Sequence, residues 1–201
     1  MLLYGASGHG KVIIDCLESQ GLEIIGIFDD DANKVELLNY QVIGKYNAEM
    51  FSNEKLIISI GDNQIRKKVS EIIKHKFGSA IHISSTVSKH VEIGEGTVVF
   101  HKAVLQSSTK VGKHVIINTA ASIDHDCVID NFAHISPNAT LCGNVKIGEG
   151  THIGAGAVII PNRTIGKWCL IGAGTVVTKD VADYSVVVGN PARKIKTREI
   201  I

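Results

Sequence analysis

The stretch SIDHDCVIDNFAH, residues 122–134, sets His125 and His134 nine residues apart, with Asp126 directly after the first histidine. Imidazole titrates near neutrality, so a histidine beside a carboxylate has the parts of a general base. The acid holds one ring nitrogen as a donor, and the other is left to take a proton. Two other readings compete: an exposed histidine beside a solvated aspartate, and a metal site. For a metal the spacing is wrong. His125 and His134 fall in different phases of the repeat described next, and His134 and His152, eighteen apart, have no third ligand beside them. No metal is expected.

These residues lie inside a repeat of six. Between positions 87 and 177 every sixth residue is Val, Ile or Leu, sixteen in succession. Four residues after each comes a second column, small throughout except at Arg163. Neither a strand period nor a helix period produces this, and hexapeptide repeats mark a parallel β-helix. Three hexapeptides make a triangular coil, so residues i and i+18 stack about 4.8 Å apart. The aliphatic column should fill the interior and the small column the tight corner. His125, two positions after the inward Ile123, should then point out from a coil face, with Gly143 one coil above and Ser107 one coil below. A bare glycine backbone there offers open space and a nearby N–H. The register carries no inserted loop, so an acceptor would have to be gripped by another part of the chain.

That other part is residues 1–80, which read as strand, helix, strand: a small parallel sheet, roughly half a Rossmann domain. MLLY is a short strand and GASGHG a glycine-rich turn. A helix is expected over 11–20, strands in EIIGIFDDD and KLIISIG, and a second helix over 63–76. Gly8, His9 and Gly10 lie where a helix N-terminus can receive a phosphate. Asp29 and Asp30 close the second strand, where an acid meets a ribose or base edge. The spacing G-x-x-G-x-G and the short domain fit a mononucleotide, such as the one in a nucleotide-sugar, better than a dinucleotide. A plain tight turn with solvated acids is the alternative. The expected division is 1–80, 81–182 for the β-helix, and 183–201 as a tail that leaves the repeat.

Bulk properties remove other classes. The 201 residues carry 21 basic and 20 acidic side chains with no basic block, which argues against nucleic acid as a partner. No apolar run is long enough for a membrane span, and the N-terminus does not read as a signal peptide. Cys16, Cys127, Cys142 and Cys169 are scattered, which suits reduced thiols in a cytoplasmic protein.

Taken together, YGASGHG, FDD, SIGDNQIRKK, NTAASIDHDCVI, AHISPNA, CGNVKIG and VVVGNPARKI resemble the bacterial sugar acetyltransferases that join a small Rossmann-like domain to a left-handed β-helix. The most similar members N-acetylate UDP-4-amino-sugars, and relatives N-acetylate GDP-perosamine or O-acetylate sialic acid. The resemblance implies the fold (α/β plus all-β), its left hand, acetyl-CoA as co-substrate and a homotrimer with sites between β-helices. It implies that His125 is the general base and Asp126 the acid beside it, where the UDP-amino-sugar enzymes carry glutamate. Gly143 would supply the N–H that steadies the thioester oxygen, and His134 would lie near acetyl-CoA. Gly8, His9, Gly10, Asp29 and Asp30 would hold the nucleotide-sugar, and Arg193 and Lys194 the coenzyme A phosphates. Sialic acid O-acetylation, a non-catalytic nucleotide-sugar-binding partner and a zinc lyase on the same scaffold are the rivals.

Overall fold

The computed structural model describes residues 1–199. Its first part is a five-stranded sheet in the order β3-β4-β2-β1-β5. The strands are β1 (Leu2–Tyr4), β2 (Gly26–Phe28), β3 (Glu36–Leu37), β4 (Tyr40–Gly44) and β5 (Leu56–Ile58). All run parallel except β3, which makes an antiparallel hairpin with β4. β1, β2 and β5 are buried at every residue, as a parallel sheet covered on both faces requires. The β3–β4 hairpin has no counterpart in the sequence reading, because its strands are short and largely exposed.

Helix α1 (Gly8–Ser19) begins three residues earlier than the pattern predicts. Gly8, His9 and Gly10 therefore form its first turn rather than a loop before it. Helix α2 (Asn63–Ile72) ends short of the expected 76 and starts on an Asp62 cap, whose side chain accepts from the Ile65 N–H. Among the described residues no helix is long and apolar enough to cross a membrane.

From Ala80 onward the chain winds as a β-solenoid with three faces. Face 1 contains Thr86–Val87, Val104–Leu105, Ser122–Ile123, Thr140–Leu141, Val158–Ile159 and Val176–Val177. Face 2 runs from Glu92–Ile93 to Thr164–Ile165, and face 3 starts at Ala80–Ile81. Consecutive strands on a face pair in parallel with an eighteen-residue register, such as Ser122↔Thr140 and His134↔His152. The second residue of each pair fills the interior: Leu105, Ile123, Leu141, Ile159 and Val177 are at most 1% exposed. Each such burial contributes roughly 1.5–3 kcal/mol, and the repetition makes it cumulative.

The small column has a different role from the one expected. Cys127, Ala133, Ala139 and Thr151 are fully buried just past the corner. The corner itself belongs to the residue before, which takes positive φ: Asp126 +61°, Phe132 +60°, Asn138 +57°. Threonine is tolerated in the small column because its hydroxyl donates to a carbonyl fifteen residues on. Thr97 donates to Gly112 and Thr109 to Asp124, at 2.7 and 2.9 Å.

The tail also departs from expectation. Ser185–Val188 extends face 3 in parallel register after Leu170–Ile171, and Arg193–Thr197 folds back antiparallel upon it. The N-terminal unit packs on the early coils of the same face. Cys16 and Leu17 of α1 share a core with Ala80, Val98, Phe100 and Ile116. The outward column of face 3 is thus covered as far as Ile116, and His134 is the next residue along it.

Candidate active site

His125 and Asp126 occupy the corner between face 1 and face 2, not a coil face as the repeat arithmetic suggested. The histidine side chain is 60% exposed. Its Nδ1 lies 2.7 Å from Asp126 Oδ2, and Asp124 Oδ1 stands 4.0 Å from Nε2. The Asp126 hydrogen bond, followed by the charge of Asp124, raises the His125 pKa above the ordinary value. Asp126 reaches the ring because the left-handed corner conformation, which aspartate tolerates, turns its side chain back.

Gly143 lies on the next coil. A Cβ there would stand 2.8 Å from His125 Cε1 and 2.9 Å from Nε2, so the ring occupies the space any other residue would fill. Among the described residues no protein acceptor meets the Gly143 N–H. The corner therefore joins a base held by an acid to a backbone donor with nothing to bond.

On the other side of the solenoid lies a pocket of about 360 Å³, lined by Gly61, Asp62, Asn63, Gln64, His134, His152, Trp168 and Arg198. His134 and His152 stack with centroids 4.6 Å apart. The Thr119 N–H donates to Asn118 Oδ1, which fixes that amide, and Asn118 Nδ2 donates to His134 Nε2 at 3.0 Å. The proton of the neutral ring then sits on Nδ1, which is buried without a hydrogen-bond partner. Burial, then His152, Arg66 and His9, push the His134 pKa down to about 2. The Gly61 backbone opposes this, too poorly aligned to complete a bond. This ring is neutral at any physiological pH.

The glycine turn faces the same region. His9 lies 6.4 Å from His134 and 5.4 Å from Phe100, centroid to centroid, and burial followed by Arg66 lowers its pKa to about 4. Its Nε2 is likewise buried without a partner. The two glycines beside it differ. Nothing lies within 4 Å of a Cβ at Gly8, whereas one at Gly10 would meet Gly5 O and Leu37 Cδ2 at 2.9 Å. Gly8 is open to a ligand; Gly10 serves close packing.

The two acids are engaged within the protein. Asp29 accepts from the Ala6 and Asp31 N–H groups at 2.6 and 2.9 Å and pairs with Lys34 at 3.0 Å. Burial alone would raise its pKa, but these partners hold it below the usual carboxylate range. Asp30 accepts from the Tyr4 hydroxyl at 2.7 Å. In the tail, Arg193 donates to the neighbouring Ala192 carbonyl, and Lys194 lines a separate cavity at the solenoid end. Arg198 reaches the pocket instead, and with Lys196 it lines the adjoining cleft over Leu170 and Val186. Sequence reasoning missed Arg198, Lys196 and Gly61. It also missed Arg66, one cation in the run Arg66-Lys67-Lys68 that only burial distinguishes.

Comparison with known proteins gives this arrangement a family. The PglD N-terminal domain family matches residues 1–73, and the bacterial transferase hexapeptide (six repeats) family matches residues 144–179. PerB from Caulobacter crescentus, solved with CoA and GDP-perosamine, is 34% identical with a TM-score of 0.92, covering 97% of this chain and 96% of that one. This chain belongs to the bacterial sugar acetyltransferases built from a PglD-type domain and a hexapeptide β-helix. Its solenoid is the left-handed β-helix of that family. The acetyltransferase domain of PglB from Neisseria gonorrhoeae is 38% identical with a TM-score of 0.87, covering 96% and 98% of the two chains. The UDP-N-acetylbacillosamine N-acetyltransferase of Bacillus subtilis is 36% identical over 106 residues, 48% of this chain and 49% of that one. The chain spans about half the length or less of the curated relatives it matches. Family members have been solved with CoA or acetyl-CoA. Among the described residues of this one, no group of three or more His, Cys, Asp or Glu is placed to hold a metal.

Proposed function

We propose that the protein is an acetyl-CoA-dependent N-acetyltransferase acting on a nucleotide-linked 4-amino-sugar, of the UDP-4-amino-4,6-dideoxy type, in surface-glycan biosynthesis. The observation that carries this reading is the His125–Asp126 pair lying over the Gly143 backbone. Acyl transfer to an amine needs a base for the amine proton and a donor for the oxyanion. Here both stand within one corner. The names of the relatives favour an amine over the hydroxyl of sialic acid.

The bare Gly143 fits a thioester: with no side chain it lets the His125 ring lie against its backbone, and its N–H is unspent. Acetyl-CoA supplies an activated acetyl group. Asp126 holds Nδ1–H and so presents the Nε2 lone pair. His125 Nε2 takes the proton as the amine nitrogen bonds to the acetyl carbon, and the Gly143 N–H holds the negative charge on the tetrahedral oxygen. When that oxygen's electrons re-form the carbonyl, the carbon–sulfur bond breaks and coenzyme A leaves as the thiol, taking the proton back from His125. On the acceptor side, the open Gly8 at the start of α1 suits a nucleotide phosphate. His9 faces the same region from the first turn of α1, and His134 on the pocket wall lies towards acetyl-CoA. Lys196 and Arg198 join Arg193 and Lys194 as partners for the coenzyme A phosphates, since they flank the pocket.

One chain cannot assemble this site. His125 lies at the edge between faces 1 and 2, while His134 and the N-terminal unit lie on face 3 opposite. A second copy has to bring its face 3 to the first copy's His125 edge. Such a contact is heterologous and closes as a ring, here a homotrimer. The outward column of face 1 (Thr86, Val104, Ser122, Thr140, Val158, Val176) carries no charge, unlike Glu92, Lys110 and Lys146 on face 2, which suits face 1 to that interface. Four free cysteines and the need for acetyl-CoA support a cytoplasmic setting.

The test is thiol release from acetyl-CoA with UDP-4-amino-4,6-dideoxy sugars, GDP-perosamine and free sialic acid as acceptors. Turnover with one amino-sugar is expected. Turnover with sialic acid alone would replace the reading with O-acetylation, and binding without turnover of any acceptor would overturn the enzymatic reading.

A further inference from the structure

Arg66 is 1% exposed, and among the described residues no carboxylate lies within salt-bridge distance of its guanidinium. All five N–H groups are nevertheless used. Nε donates to the His114 carbonyl at 2.9 Å, and Nη1 donates to the Ile60 and Gly61 carbonyls at 3.0 and 3.1 Å. Nη2 donates to Asn63 Oδ1 at 2.9 Å and to the Phe132 carbonyl at 2.8 Å. Asn63 then donates through Nδ2 to the Gly150 carbonyl at 3.0 Å. His114, Phe132 and Gly150 are equivalent corner positions on three successive coils, all with positive φ. Two side chains of α2 therefore read one carbonyl from each of three coils.

A buried cation without a counter-ion is an expensive way to hold two units together, since an apolar side chain of similar size does so at less cost. The rest of the interface already provides that kind of adhesion through Cys16, Leu17, Val98 and Phe100. Apolar contact is non-directional and tolerates sliding, whereas donors aimed at carbonyls about 4.8 Å apart fix a register. The same guanidinium holds the Ile60 and Gly61 carbonyls, and Gly61 lies at the pocket against the His9 ring.

We propose that Arg66 is a positioning residue for acetyl transfer: through its five hydrogen bonds it sets the loop at residues 60–63, and with it the acceptor half of the site, in register with the solenoid half. This rests on the function proposed above. Arg66 touches no reacting atom and acts through Gly61 and Asn63.

The test uses the full chain carrying Arg66→Lys, which keeps the charge with three donors in place of five, and Arg66→Met, which keeps only the stem. Acceptor and acetyl-CoA kinetics are measured separately, beside amide hydrogen exchange and thermal melting. In Arg66→Lys the acceptor kcat/KM is expected to fall about 10- to 100-fold, as small misplacements do, with a much smaller change in the acetyl-CoA KM. Amides of Ile65 and Arg66, which donate to Asp62 at the end of that loop, should exchange faster while those of the later coils stay protected. Parallel loss for both substrates in step with melting would reduce Arg66 to a structural role and overturn the proposal, as would unchanged acceptor kinetics. If the unsubstituted protein acetylates no amino-sugar, the functional reading fails by itself. The exchange measurement still decides Arg66, because unaltered exchange at the Ile65 and Arg66 amides in Arg66→Lys would sink it.

Discussion

Two edges of the same prism use one backbone for opposite ends. At the edge between faces 1 and 2, Asp126 takes φ +61° and leaves His125 in solvent with a raised pKa. At the edge between faces 2 and 3, Phe132 takes φ +60°, and His114 one coil away lies stacked on it, centroids 5.1 Å apart. Burial and then Arg66 push His114 down to about 4. The repeat supplies like corners, but the two histidines hold different places in them: His114 itself takes positive φ (+54°), whereas His125 precedes the positive-φ Asp126. Place and cover together separate a buried ring from an exposed one, and the N-terminal unit covers the His114 edge through Arg66 and Phe77.

The largest expected effect is at the open edge. His125→Ala should lower kcat by about 10²- to 10⁴-fold, the usual worth of a general base. Melting should stay where it was, because the exposed ring supports no packing. Steady-state kinetics and a thermal melt on the same preparation check both. A large loss of stability would show that the edge is structural and dissolve the contrast with His114.

Gly143→Ala comes next. The new Cβ would stand within 3 Å of the ring, so the ring has to leave, and with it the alignment of base and backbone donor. A loss of about 10²- to 10³-fold is expected. Gly156→Ala is the control at a corner glycine that touches no ring; unlike Gly143, Gly156 takes positive φ, +64°. Its Cβ meets nothing within 4 Å, and Ala120 already occupies the equivalent positive-φ corner two coils away. Activity within twofold of the parent is expected there, about the scatter of such assays. Equal losses at the two glycines would mean that adding any side chain at a corner glycine is damaging, and that contact with the His125 ring is not responsible.

The difference between the edges also explains what was legible. The six-residue period is local, so the coil, its inward column and the stacking of His125 under Gly143 can be read from spacing alone. Which edge is covered cannot, because the cover is a separate unit whose key donor, Arg66, sits in a helix among lysines of similar character. The same blindness affects the acids. Asp29 and Asp30 end a strand, as ribose-binding acids do, yet Ala6, Lys34 and Tyr4 engage them, and only coordinates reveal such partners. His9 sits in a motif that spacing could flag, but its approach to His134 joins residues of different domains. The helix starts earlier than propensity suggests, since glycine disfavours helices, and Gly10 is held in its first turn by close packing against the Gly5 carbonyl and Leu37.

Asp126→Asn sharpens the open edge more gently. The amide keeps the size but loses the charge that raises His125, so the acid limb of the pH–rate profile should move to lower pH. The rate on the plateau should fall by about tenfold, as orientation weakens and the base becomes less basic. Proton uptake by His125 is what ends activity on the acid side, so a lower pKa extends activity downward in pH. A limb that does not move would detach Asp126 from the base, and the contact at 2.7 Å would be incidental.

The smallest effect belongs to the covered edge and concerns stability. His9 and His114 have folded pKa values near 4 against the usual 6.5. Between those values the unfolded chain binds more protons than the folded one, so stability falls as pH drops from 6.5 towards 4. A decrease in Tm on the order of 5 °C over that window is expected for a chain of this size. His114→Phe, which keeps a ring against Phe77 and Phe132, should flatten part of the decline. Asp29, whose pKa is depressed below the carboxylate range, contributes its own loss only at lower pH, outside the window. His125 has the opposite sign, but it is exposed and moves Tm little. A Tm flat from pH 7 to 4 would mean that the covered histidines are as free to protonate as His125, and the two edges would no longer differ in the property that separates their roles.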